Sequence, residues 1–134
     1  SPTARGIITT GTQTIAGAKT FSSIVKANTS YGDFTTDTDG ATITFDMSLT
    51  NKHRVTLAGN RTLPVSNVTV GQFFTIELIQ DATVSRTVTW FSTIKWAEGG
   101  TAPTLTTTAS KSDVVGFLPT SSGNYIGFVL GKNI

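Results

Sequence analysis

No segment of the chain carries apolar residues at the 3.6-residue period of a helix, and that absence constrains the fold most. Apolar positions either alternate with polar ones or come in short runs, and the runs end at Gly, Asn, Asp, Pro or Ser. Period two places successive side chains on opposite faces of a pleated strand. Ala41 to Leu49 is the clearest case: Ala41, Ile43, Phe45, Met47 and Leu49 point one way, and Thr42, Thr44, Asp46 and Ser48 the other. Thr makes up about a fifth of the 134 residues. Its β-branched side chain suits a pleated, half-wet surface.

Further strands are expected around Arg54–Leu57, Gln72–Gln80, Arg86–Trp90, Ile94–Trp96, Ser112–Leu118 and Asn124–Leu130. Gln72–Gln80 is the most apolar, with Phe74, Ile76 and Leu78 on one face and Phe73 and Ile79 on the other, so it belongs in the middle of a sheet. Asp39-Gly40 reads as a hairpin turn. Thr120-Ser121-Ser122-Gly123 joins the last two strands as another hairpin. Short strands with turn signals every eight to twelve residues predict an all-β chain, an antiparallel β-sandwich of jelly-roll type.

Residues 1–30 differ from the rest. They hold two short β-prone pieces and a turn at Ala16-Gly17, with too few large apolar residues for a core of their own. The expectation is an extended N-terminal arm over 1–30 and a β-sandwich domain over 31–134. Ile7, Ile8, Ile15 and Phe21 are the arm residues expected to contact other copies or other proteins. The start at Ser1-Pro2, without Met, is expected to reflect processing or a cut from a longer chain, and it shows no charged-then-apolar signal pattern.

Composition removes several function classes. There is no Cys, so no disulfide scaffold, thiolate metal site or cysteine nucleophile. No apolar run approaches the ~20 residues of a spanning helix, so no membrane insertion is expected. Net charge is +2 and the basic residues are scattered, whereas nucleic-acid binding needs a clustered patch. Charged residues are 13% of the chain, against about 25% in an ordinary domain. So little charge suits a surface buried against copies of itself; a monomer with a Thr-rich skin fits the composition equally well.

Catalytic constellations are weak. The one histidine, His53, lies between Lys52 and Arg54, which suggests a solvated strand start. Asp37, Asp39, Gly40 and Asp46 partly copy a calcium loop, but Thr35 stands where the first carboxylate belongs, and the residues after Gly40 alternate as a strand. No pair among the eight acids stands out for acid–base work, and Glu77 is expected to be half exposed or paired with a cation. The expectation is a non-enzymatic chain with no cofactor and no metal. Trp90, Phe91 and Trp96, with Tyr125 near them, form an aromatic group able to hold a ligand, although two Trp in a small β domain more often serve packing.

One set of segments resembles a C-terminal domain of tailed-bacteriophage virion appendage proteins (tail fibre, spike or head fibre). These segments are Gly59-Asn60-Arg61-Thr62-Leu63, the ribbon Gln80 to Trp90, Lys95-Trp96 with Gly99 to Thr106, and the final strand pair. Thr12 to Phe21 looks like a connector that recurs in phage fibre and tail proteins. The resemblance implies a jelly-roll-type sandwich at the end of a fibre, spike or head appendage on the virion surface. It implies a homotrimer attached to other virion proteins through its arm, with a distal face toward a host glycan or protein. The alternative is a head-fibre, capsid-decoration or tail-assembly protein of purely structural role. The chain departs from the group's pattern at Val84, where Gly is usual, and at Phe91, where Pro is usual.

Overall fold

The computed structural model describes residues 10–97 and 99–134. It divides into two compact units, Ser1–Ser30 and Tyr31–Ile134.

In the first unit, residues 10–30 form no strand. Their large apolar side chains are exposed: Ile15 by 53%, Phe21 by 65%, Ile24 by 95% and Val25 by 59%. Gly17 takes the left-handed conformation at φ 73°, which glycine adopts without steric cost. The Lys19 ammonium donates to the Ala16 carbonyl across this turn. Ile7 and Ile8 lie outside the described residues.

The second unit is all-β, sandwich-like in that the apolar faces of several sheets enclose one core. Its strands are β1 (Thr35–Thr36), β2 (Phe45–Asp46), β3 (Lys52–Leu57), β4 (Arg61–Leu63), β5 (Val65–Ser66), β6 (Phe74–Gln80), β7 (Val88–Trp90), β8 (Ile94–Trp96), β9 (Ser112–Ser121) and β10 (Asn124–Gly131). One sheet has the order β1-β3-β6-β9-β10-β8, and two-stranded sheets pair β2 with β5 and β4 with β7.

The direction of pairing differs from the antiparallel plan expected. β1–β3, β3–β6, β2–β5, β4–β7 and β8–β10 are parallel; β6–β9 and β9–β10 are antiparallel. The parallel registers are regular. Thr35 lies beside His53, and His53 beside Ile76. Thr42 bridges Thr62, and Thr62 lies beside Thr89. The chain therefore winds through three stacked coils, each of roughly twenty residues or somewhat more, a solenoid-like repeat. The first coil runs through β1 and β2, the second through β3, β4 and β5, and the third through β6 and β7. The β9–β10 hairpin then continues the large sheet beyond the third coil, and β8, parallel to β10, is its last strand.

Asp39-Gly40 accordingly turns a corner between sheets of one coil and is not a hairpin. The alternation after it survives: Ile43, Phe45 and Met47 are buried, while Leu49, expected beside them, is 69% exposed beyond the strand. The hydrogen bonds of Ile43, Phe45 and Met47 run to Thr62, Pro64 and Ser66 of the second coil. Period-two patterning is the same for parallel and antiparallel partners, so it fixed the faces and left the partner open.

The core is a set of apolar rows running along the stack. Val55 of β3 stands beside Leu78 of β6, and Leu63 of β4 beside Trp90 of β7. β6 alternates as expected, with Phe74, Ile76 and Leu78 buried, and it is flanked on both sides. Each fully buried Phe, Leu or Ile contributes about 1.5–3 kcal/mol. Two bidentate ion pairs pin the corners. Arg61 of the second coil grips Asp39 of the first through Nε (2.9 Å) and Nη2 (2.5 Å). Arg86 grips Asp81 in the third coil, at 3.1 and 2.9 Å. Each guanidinium holds its carboxyl below the usual carboxylate range.

Candidate aromatic site

The three ends of β7, β8 and β10 bring together the aromatic group expected from the sequence. Trp90 closes β7, Phe91 follows it, Trp96 closes β8, and Tyr125 is the first residue of β10 paired with β8. β8 runs parallel to β10, with Ile94 beside Tyr125 and Trp96 beside Gly127. Phe117 of β9 is the hub. Its ring centroid lies 5.0 Å from Phe91, 5.2 Å from Phe74, 5.6 Å from Trp90 and 5.8 Å from Trp96. Trp90 meets Trp96 edge to face at 5.2 Å, and Phe91 meets Tyr125 edge to face at 4.8 Å. Edge-to-face contacts align positive ring edges with negative ring faces.

The four residues do different work. Tyr125 is 7% exposed, and burial pushes its phenol above the ordinary value. It is a wall of the core. Trp90, Phe91 and Trp96 are half-buried and pack on the core from outside. Gly127 explains how Trp96 lies so close to β10: a Cβ at position 127 would fall 2.5 Å from the indole ring. A bare backbone there lets the ring lie flat on the strand.

A groove of about 370 Å³ opens beside that indole. Its walls include Trp96, Thr101, Ala102, Pro103, Gly127 and Phe128. The volume lies within the range of small-ligand sites. A groove lined by an indole, a proline and a threonine can take a flat, partly apolar face such as one side of a pyranose ring. A second, smaller groove of about 200 Å³ lies by Tyr125, lined largely by the polar residues Ser66, Asn67, Ser121 and Ser122 and by Pro119. Gly127 is a site residue that the sequence pattern does not mark, and the loop at Thr101–Pro103, marked only through the resemblance, was not expected as a groove wall. The Trp96 and Gly127 pairing joins distant parts of the chain, so no local spacing announces it.

The remaining candidates are occupied by structure. His53, expected at a solvated strand start, is fully buried. It sits on the inward face of β3 in the row of Val55 and Leu57, and the flanking cations Lys52 and Arg54 point the other way. Its Nδ1 lies 2.8 Å from the Asp37 carboxylate and its Nε2 3.2 Å from the Thr50 carbonyl, with Phe45 edge-on at 5.4 Å. Both ring nitrogens are thus committed. The acids of the loop resembling a calcium site separate into three jobs. Asp37 meets His53, Asp39 meets Arg61, and Asp46 accepts from Ser48 and Asn67, bonds that lower its pKa. Among the described residues no three His, Asp or Glu gather to hold a metal ion. Glu77 pairs with Arg54 at 3.2 Å and accepts from Ser112. Buried Asp113 accepts the backbone amides of Thr106 and Asn133, tying the loop before β9 and the chain end to the hairpin.

No family model, curated protein or solved structure matches this chain.

Proposed function

We propose that the chain is a non-enzymatic structural protein of a tailed-bacteriophage virion. In this reading it is a homotrimeric fibre- or spike-tip domain on the particle surface. Its arm meets other virion proteins and its far end meets a glycan or protein of the host cell. The residues from Gly59 to Trp90 and from Lys95 to Thr106 support the reading through their resemblance to such domains.

The observation that carries it is the polarity of the coil stack. Parallel coils run from β1 to β6, and the antiparallel hairpin β9–β10, with β8 as the edge strand beyond it, follows them. A stack whose two ends differ in this way suits a module that is joined at one end and faces outward at the other. The aromatic groove lies with β8 and β10, at the hairpin end. Three copies would make weak sites useful through avidity.

The test is the solution mass of the full chain, then binding of the purified protein to a panel of bacterial strains. The expected result is three times 14.1 kDa and saturable binding to at least one strain. Thr101→Arg, an exposed position on the groove wall, should weaken that binding without moving the melting temperature. A trimer that binds no strain, together with capsids that lose stability when stripped of the protein, would replace this reading with the decoration or tail-assembly role.

A further inference from the structure

We propose that residues 14–21 of the arm are a fourth copy of the coil unit, and that they stack on the open edge of the first coil of a neighbouring copy of this chain. This adds to the virion reading a defined joint between subunits, and it depends on that reading only for the number of copies.

The first observation is a repeat in the sequence. Thr14-Ile15-Ala16-Gly17-Ala18-Lys19-Thr20-Phe21 matches Thr56-Leu57-Ala58-Gly59-Asn60-Arg61-Thr62-Leu63. Thr, Ala, Gly and Thr are identical, and Ile for Leu, Lys for Arg and Phe for Leu keep the chemistry. In the second coil this stretch is the end of β3, a corner and β4. Leu57 and Leu63 are fully buried there, whereas Ile15 and Phe21 are more than half exposed. The spacing also fits. Thr42, Thr62 and Thr89 are register partners in successive coils, and Thr20 precedes Thr42 by nearly the interval that separates Thr42 from Thr62. Phe21 would then extend the row Ile43, Leu63, Trp90.

The second observation is an edge waiting for such a coil. β1 ends the six-stranded sheet, and β2 has β5 as its one strand partner among the described residues. Ile43, Phe45 and Met47 donate to the second coil, so the alternating amides of Thr42, Thr44 and Asp46 face away from it. Unpaired strand edges take up further strands.

The third observation is charge. Residues 1–30 carry Arg5, Lys19 and Lys26 and no acid, while residues 31–51 carry Asp33, Asp37, Asp39 and Asp46 and no Lys or Arg. Lys19 occupies the place of Arg61, which reaches back to Asp39 of the coil before it, so the match marks residues 14–21 as a coil unit, and the attraction to the first coil is that of a basic segment for an acidic one. In the single chain this segment forms no strand and Lys19 turns back on Ala16. Its partner is therefore assigned to a second copy, each chain giving its arm and receiving another. Three such head-to-tail exchanges close a ring.

Hydrogen exchange of the full chain, measured together with its mass across a dilution series, tests the proposal. Amides of residues 14–21 should be protected at least about tenfold in the assembled protein and lose that protection on dilution to monomer. Thr20→Pro removes the amide a ladder needs, and Lys19→Glu reverses the charge. Both lie outside the Tyr31–Ile134 unit, so each should abolish the protection and the assembly, while at monomer dilution the substituted chain melts as the unsubstituted one does. A protected arm in a monomer would overturn the exchange between copies in favour of a coil within one chain. An unprotected arm at every concentration, or assembly that survives both substitutions, would overturn the proposal outright.

Discussion

Leu57 and Ile15 occupy matching places in two nearly identical stretches of sequence, yet one is fully buried and the other 53% exposed. The second coil has a coil on either side. β3 lies between β1 and β6, and Arg61 has Asp39 to hold. The arm shows no strand pairing in its described residues. A parallel strand has no internal hydrogen bonds, so its stability comes from the strands beside it and the rows of side chains it extends. The same local pattern is a core element in one place and an extended segment in the other.

The largest expected effect comes from removing the centre of the body. Phe117→Ala deletes a fully buried ring that touches Phe74, Trp90, Phe91 and Trp96, and should cost about 3–5 kcal/mol in denaturant unfolding. Next is the matched pair. Leu57→Ala should cost about 2–5 kcal/mol in the dilute, unassembled chain, and Ile15→Ala, which leaves no cavity there, within about 0.5 kcal/mol of nothing. Equal effects would end the comparison.

A smaller effect is the response to acid. Asp39 and Asp81 titrate below the usual carboxylate range because their Arg partners favour the charged form. A depressed folded pKa contributes stability above the unfolded value of about 3.9, and that stability is lost as pH falls through the folded pKa. The melting temperature should therefore drop below about pH 4. Asp39→Asn should flatten the drop, by unpairing the first and second coils at their corner. The smallest effect is at Val84, which stands at φ 62°, where a β-branched side chain is strained. Val84→Gly should raise stability by up to about 1 kcal/mol, the strain relieved being partly offset by the greater freedom of an unfolded glycine. A loss on this substitution would mean that the half-buried Val84 side chain contributes more by packing than it costs in strain.

The faces of the strands were legible throughout. Ile43, Phe45 and Met47, and Phe74, Ile76 and Leu78, are buried as their alternation requires. The final hairpin and the central place of β6 were legible for the same reason. His53 was misread because its neighbours in sequence are cations, whereas its neighbours in space are Asp37 and Phe45, sixteen and eight residues earlier in the chain. The aromatic group was legible as a set of residues, but its division into a core wall at Tyr125 and a groove wall at Trp96 depends on Gly127 and on the loop at Thr101–Pro103.

By itself the sequence determined that the chain is all-β, which side of each strand is apolar, and where the last turn falls. Those properties are local: they come from side-chain branching, period-two alternation and turn residues. The tertiary structure alone decided that most strands pair in parallel, that the first corner is not a hairpin, and that the lone histidine is interior. Hydrogen bonding between strands uses the backbone, which is the same at every residue, so partner and direction are chosen by which apolar rows and corner charges fit when the coils stack.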